Sequence, residues 1–195
     1  DPARLDASLS GPRPFHVVTH AGTTSVNFDK GGYVALMSDA DILEGVAVET
    51  FPQARAHHGF AVPMGDYIVS SVASDAPADG DGAPPRVGIQ AFNRARAAAG
   101  DMQVCTDLHG EAFSGAYLMA GCQEGVVAAT LDGGMPAFSM LPYPETFGDG
   151  MTGTLLGAES MQIFLGNYGA QSVVVIDPTV STSCSTRPVR SSPIS

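Results

Sequence analysis

The stretch HHGFAVPMGDYIVSSV runs from His57 to Val72, and LHGEAFSGAYLMAGC runs from Leu108 to Cys122. Each sets a His-Gly pair before a short apolar run. A Gly-containing turn follows, then a Tyr-led apolar run. TGTLLGAESMQIFLGN, from Thr152, reads as a third copy, and HAGTTSVNFDKGGYVALM, from His20, as a weaker one upstream. The starts are 38, 51 and 43 residues apart. Four short strands with their turns need roughly 40–45 residues, the length of one β-propeller blade. The long middle step holds SDAPADGDGAPPR (74–86), which has almost nothing to bury and reads as a surface loop.

The other apolar runs fit that frame. They are short, rich in β-branched and aromatic residues, and separated by turn residues such as Asp29-Lys30-Gly31-Gly32 and Asp132-Gly133-Gly134. The reading is all-β: about three and a half four-stranded blades of a larger propeller. Residues 15–178 form this partial propeller. Residues 1–14 read as a linker feeding an outer strand at 15–19, and 179–195 as a disordered or non-native Ser/Thr-rich tail. In each blade the first strand begins at His20, His58, His109 or Thr152, and the second at Tyr33, Tyr67, Tyr117 or Gln162. The outermost strands are VAVETF (46–51), MQVCTDL (102–108) and AFSML (137–141). FNRARAAAG (92–100) has helical composition but is short enough to be a loop or a single turn.

Composition narrows the function. Of 195 residues, 44% are apolar, 15% are charged, and 23 are Gly and 14 Pro, a mixture suited to many short elements joined by tight turns. The net charge of −11 repels phosphate backbones, so nucleic acid is not an expected partner. No apolar run reaches the roughly 18 residues of a membrane span. The chain opens on Asp1 without a signal-like segment and reads as a piece of a longer product. Bare strand edges at the ends of an open arc would favour self-association through exposed blade faces.

The chemistry points to metal. Residues at one phase of a propeller repeat map to one ring around its axis, so His20, His58 and His109 are expected to converge, with Thr152 in the corresponding place. Imidazoles and carboxylates are zinc ligands at about 2.0–2.2 Å. His57 is an added candidate beside His58, although successive strand residues point opposite ways. Asp107 and Glu111 flank His109 as a further ligand or as an orienting carboxylate. His16 and His20 are spaced His-x-x-x-His, but on a strand that spacing is about 13 Å, so His16 reads as a packing residue. Ser114 lacks the Gly-x-Ser-x-Gly context of a hydrolase nucleophile. Cys105 and Cys122 flank one repeat unit and read equally as a local disulfide or as two buried thiols.

The phrases RPFHVVTH, AHHGFAVPMGDYIVSSV, CTDLHGEAFSGAYLMAGCQEGVV and TGTLLGAESMQIFLGNYGAQSVVVIDP resemble the periplasmic zinc metallochaperone AztD family, with DLHGEA and FLGNYGA the most specific. The resemblance covers roughly residues 10–178. It implies a β-propeller that binds Zn2+ in the periplasm and hands it to the solute-binding protein of an ABC-type zinc importer, with no enzymatic step. It implies a metal role for His58 and His109, and a frame around Cys105 and Cys122 that suits a periplasmic disulfide. Two other classes fit a propeller of this kind: a metal-dependent hydrolase or lactonase, and a metal-free interaction scaffold.

Overall fold

Four runs of antiparallel strands, each a simple meander, account for most of the chain. The computed structural model describes residues 8–44, 49–78 and 82–179, divided into two units at 102/103. The first unit opens with the sheet β1 (Pro14–His20), β2 (Thr23–Phe28), β3 (Tyr33–Ser38), β4 (Glu49–Pro52), in that spatial order, with a short helix α1 (Asp39–Glu44) between β3 and β4. Its second sheet is β5 (Ala61–Met64), β6 (Tyr67–Ala73), β7 (Arg86–Phe92), β8 (Ala98–Val104). The second unit contains β9 (His109–Ser114), β10 (Tyr117–Gly121), β11 (Gly125–Asp132), β12 (Met135–Pro142), then the three-stranded sheet β13 (Leu155–Leu156), β14 (Phe164–Tyr168), β15 (Ser172–Ile176). Three four-stranded sheets and one of three strands match the expected blade architecture.

The turns explain the tight meander. Between β1 and β2, His20 faces Thr23 in the register, and the two loop residues Ala21 and Gly22 both have positive φ, 47° and 72°. Between β11 and β12, Gly133 and Gly134 do the same. A two-residue turn with both φ values positive matches the right-handed twist of the strands it joins. Each unit buries apolar side chains between its own sheets. In the first, Val34, Leu36, Phe51 and Ala61 pack with Ile68 and Phe92. In the second, Met119, Val126, Leu141, Leu155, Phe164 and Ile176 form the centre, with Tyr143 and Phe147 packed against it. Burying one such large side chain is worth about 1.5–3 kcal/mol.

Several expectations shift. The strand at 15–19 is not the outer strand of a preceding repeat: it is β1, the first strand of the first sheet, hydrogen-bonded to β2. His20 therefore ends a first strand instead of opening one, and His16 lies within that strand. The outer strand placed at 102–108 is β8 at 98–104, which takes up the Ala-rich end of FNRARAAAG. The reason is local: Asn93–Ala97 closes a turn through backbone bonds Asn93 N–H to Ala97 O and Arg96 N–H to Asn93 O, so the Ala residues after it run extended. The third strand start, Thr152, also moves, since only Leu155 and Leu156 pair with β14. The loop 74–86 is tied at its base by Ser74 N–H to Pro85 O at 2.8 Å. Of the expectations above, those on residues 1–7, 46–48 and 180–195 lie outside the described residues.

Candidate metal centre

In the first unit the centre is built around His58. The segment Arg55–His58 lies just ahead of β5, and His58 is half-buried. Its Nε2 faces the Nε2 of His16, from β1, at 2.9 Å. Its Nδ1 lies 2.7 Å from the Asp29 Oδ2 at the end of β2. The ring of Phe15 stands edge-on to the His58 ring with centroids 4.5 Å apart. Strand β1, the lead-in to β5 and the turn after β2 thus supply a His pair, a carboxylate and an apolar flank; the strand expected to begin at His58 begins only at Ala61.

Asp29 is buried, at 4% exposure, and a carboxylate there must be paired. It is. Asn27 Nδ2 donates to Asp29 Oδ1 at 2.7 Å, and Arg13 Nε lies 3.7 Å from Oδ2. The backbone N–H of Asp29 also donates to Arg13 O at 3.0 Å, which fixes the turn carrying the carboxylate. With Asp29 accepting from Nδ1–H, neutral His58 keeps its lone pair on Nε2, the atom turned towards His16. A carboxylate behind an imidazole in this way fixes its tautomer and raises its basicity as a ligand.

The N···N separation tests the fit to zinc. Two imidazoles on one tetrahedral Zn2+, each at about 2.0–2.1 Å, have nitrogens about 3.3 Å apart. The 2.9 Å of the His16–His58 pair is a hydrogen-bond distance, which the two nitrogens satisfy by sharing one proton. Replacing that proton by a cation requires the rings to separate by only a few tenths of an ångström. The donor set, imidazole nitrogen backed by carboxylate, suits zinc.

His57 is placed quite differently. It is 1% exposed, its Nδ1 donates to Arg55 O at 2.8 Å, and its Nε2 pairs with Ser71 Oγ at 2.8 Å. Burial holds its pKa below the ordinary 6.5, outweighing the opposing backbone hydrogen bond to Arg55. Both nitrogens are committed to the scaffold, and His57 is a structural histidine of this strand start. His20 closes β1 opposite Thr23, four residues along from His16, on the order of 13 Å away by strand rise.

In the second unit His109 opens β9 and is half-buried. Its Nδ1 donates to Gly153 O at 2.7 Å, which again assigns the neutral ring's lone pair to Nε2. Gly110 follows at φ +71, with the Gly153 carbonyl so close that a Cβ would sit 2.5 Å from its oxygen. Asp107, at φ +54, accepts from Gln123 Nε2 at 2.5 Å, which ties it to the turn after β10. Glu111 lies two residues beyond His109 in β9, across an irregularity in the β9–β10 register at the positive-φ Gly110. Thr152 is buried and its N–H donates to Tyr143 Oη at 2.8 Å, a packing role.

Sequence reasoning passed over His16. His16 lies in the first strand of its sheet as His109 does in β9, but the roughly 13 Å spacing of His16 and His20 on one strand makes it read as a packing residue, whereas its partner is His58 from another strand start. Ser114 is buried and bonds the loop before β14: its Oγ lies 2.8 Å from Ile163 O and accepts from Ala158 N–H at 3.2 Å. That hydroxyl is a structural staple. Cys105 and Cys122 are joined in a disulfide that closes the base of the β9–β10 hairpin.

The fold has known counterparts. The zinc chaperone AztD of Citrobacter koseri is 33% identical over 183 residues, 93% of this chain. The chain belongs to the AztD family. The crystal structure of apo AztD from the same organism superposes with a TM-score of 0.80 at 32% identity over 89% of this chain. A second Citrobacter koseri AztD crystal structure gives 0.81 over 90%. The chain spans under half the length of these AztD relatives, 42% of the first and 46% of each crystallised chain. No protein-family model matches the chain.

Proposed function

We propose that this chain is part of a periplasmic zinc chaperone that binds Zn2+ as cargo and passes it to the solute-binding protein of an ABC-type importer. The observation that carries the reading is the His16–His58 pair, Nε2 to Nε2 at 2.9 Å, backed by Asp29 at 2.7 Å from His58 Nδ1. His16 and His58 are the proposed ligands and Asp29 the orienting carboxylate. His109 is a further proposed zinc-binding side chain, on the strength of its strand start and fixed tautomer, with Glu111 as a proposed acidic partner. His20 and Asp107 are weaker proposals, since Asp107 already accepts from Gln123.

The family name supports a carrier in place of an enzyme, and the structural role of Ser114 removes the hydroxyl nucleophile that sequence reasoning had weighed. A half-buried two-imidazole centre suits cargo: it offers nitrogen ligands without the enclosure of a structural zinc site. The disulfide fits an oxidising compartment, as the periplasm is. No described helix is long and apolar enough to cross a membrane.

The test is zinc titration against a competing chelator at neutral pH, on the chain and on His16→Ala and His58→Ala. Stoichiometric binding that both substitutions weaken at least tenfold supports the reading. Binding that neither changes would remove the His pair as the site, and no binding at all would favour a metal-free scaffold.

A further inference from the structure

The two most family-specific phrases of the sequence, DLHGEA and FLGNYGA, meet at one peptide group in the second unit. The first contributes His109, whose Nδ1–H donates to Gly153 O at 2.7 Å. The second contributes Asn167 on β14, whose Oδ1 accepts from both Gly153 N–H at 2.9 Å and Thr154 N–H at 2.7 Å. Asn167 Nδ2 donates in turn to Gly169 O at 3.1 Å, and its backbone N–H donates to Thr154 O at 3.2 Å. A single side-chain oxygen therefore holds two successive amides of the segment whose carbonyl holds His109.

We infer that Asn167 is a positioning residue for His109. It acts through the Gly153 peptide, keeping the Nδ1–H tautomer and so leaving the lone pair on Nε2 as the ligand atom. The segment 151–154 runs outside any strand, and β13 begins only at Leu155; its earlier residues are tied by Thr152 N–H to Tyr143 Oη and by Gly169 N–H to Met151 O, which leaves Asn167 to hold the amides of Gly153 and Thr154. Gly110 permits the approach, because at φ +71 it carries no Cβ to push the Gly153 carbonyl away. Asn suits the role. Its oxygen accepts two N–H groups while its nitrogen, a donor, anchors the side chain at Gly169. Partners behind a ligating imidazole typically set its affinity by roughly 10–100-fold.

The inference rests on the reading of His109 as a zinc-binding side chain, so the experiment separates the two. Asn167→Leu removes the acceptor at similar size. Asn167→Asp keeps the acceptor and loses only the donor to Gly169. The first readout is the ring nitrogen shifts of His109 by long-range 1H–15N NMR without metal. The second is zinc affinity by chelator competition, with His109→Ala as reference. Asn167→Leu is expected to lose the Nδ1–H signature and to weaken zinc binding about 10–100-fold. Asn167→Asp is expected to keep both within about threefold of the parent chain. An unchanged His109 tautomer in Asn167→Leu overturns the inference. So does a loss in Asn167→Asp equal to that in Asn167→Leu, which would mean that the Gly169 bond is what matters. Should Asn167→Leu fail to fold, Asn167→Ala is read by the same criteria. Zinc affinity unchanged in His109→Ala would refute the ligand reading instead, with the tautomer measurement still deciding what Asn167 holds.

Discussion

Replacing Asp29 by Asn tests the zinc reading with the smallest change of shape. Asn27 Nδ2 donates to Asp29 Oδ1 at 2.7 Å, so the new amide must keep its oxygen on that side. Its NH2 then faces His58 Nδ1, 2.7 Å from the present Oδ2. Two donors cannot share that bond, so His58 must move its proton to Nε2, the atom facing His16. Zinc then has to expel that proton and leave the amide NH2 and the Nδ1–H in conflict. A buried polar group left without its partner costs about 1–3 kcal/mol. Loss of a carboxylate behind a ligating His costs about 10–100-fold in metal affinity, or about 1.4–2.7 kcal/mol. The two estimates agree, and the expected result for Asp29→Asn is zinc binding weaker by one to two orders of magnitude. Because Asn27 keeps its acceptor, urea unfolding should move far less than in Asp29→Ala. Chelator competition measures the first quantity and circular dichroism the second. Zinc affinity within threefold of the parent chain would refute the assignment of Asp29 and, with it, the orientation given to His58.

Three further outcomes follow from the packing. His57 is buried and neutral with its pKa held below 6.5, so the unfolded chain takes up a proton that the native chain does not. Its contribution to stability is complete above about pH 6.5 and is lost as pH falls towards the depressed native value, so stability measured from pH 7 downward should decline less steeply in His57→Gln. The Cys105–Cys122 bridge spans a sequence separation of 17, and loop-closure entropy puts its worth at about 3 kcal/mol, which urea unfolding of the double Cys→Ser variant should show. Gly110→Ala forces a Cβ to within 2.5 Å of Gly153 O at positive φ, and should destabilise the second unit by about 1–3 kcal/mol while displacing the His109 acceptor, read by thermal unfolding and by the His109 ring shifts.

Much of this was written in short-range patterns. Tyr67 and Tyr117 each open the second strand of a sheet and Tyr33 the third, because a Gly-containing turn and an apolar run surround them, and those signals are local. His58 and His109 were legible for the same reason. What escaped was phase. RPFHVVTH carries no Gly-led opening, so it reads as the outer strand of a preceding repeat, and the roughly 13 Å His-x-x-x-His spacing along it makes His16 read as packing. The partners of the imidazoles were beyond local reading. Asp29 is 29 residues from His58, and Gly153 is 44 from His109, so only the sheet register brings them into contact. The helical composition of 92–100 misled because propensity gave way to a turn closed by Asn93, after which the Ala residues joined an edge strand. His57 shows the converse: adjacency to a ligand candidate says nothing when a residue's own two nitrogens already serve the backbone and a serine.

The Cys105–Cys122 bridge bears on the cargo as well as on the hairpin. Reduced, this pair would be a soft dithiolate whose Cα atoms lie 5.0 Å apart, a chelate that holds zinc far more tenaciously than imidazoles do. Oxidation takes both sulfurs out of competition. In a zinc carrier of the kind proposed, the metal would then be left to nitrogen and oxygen donors, from which an acceptor protein could remove it at a useful rate, and the oxidised hairpin would keep the carrier from becoming a sink.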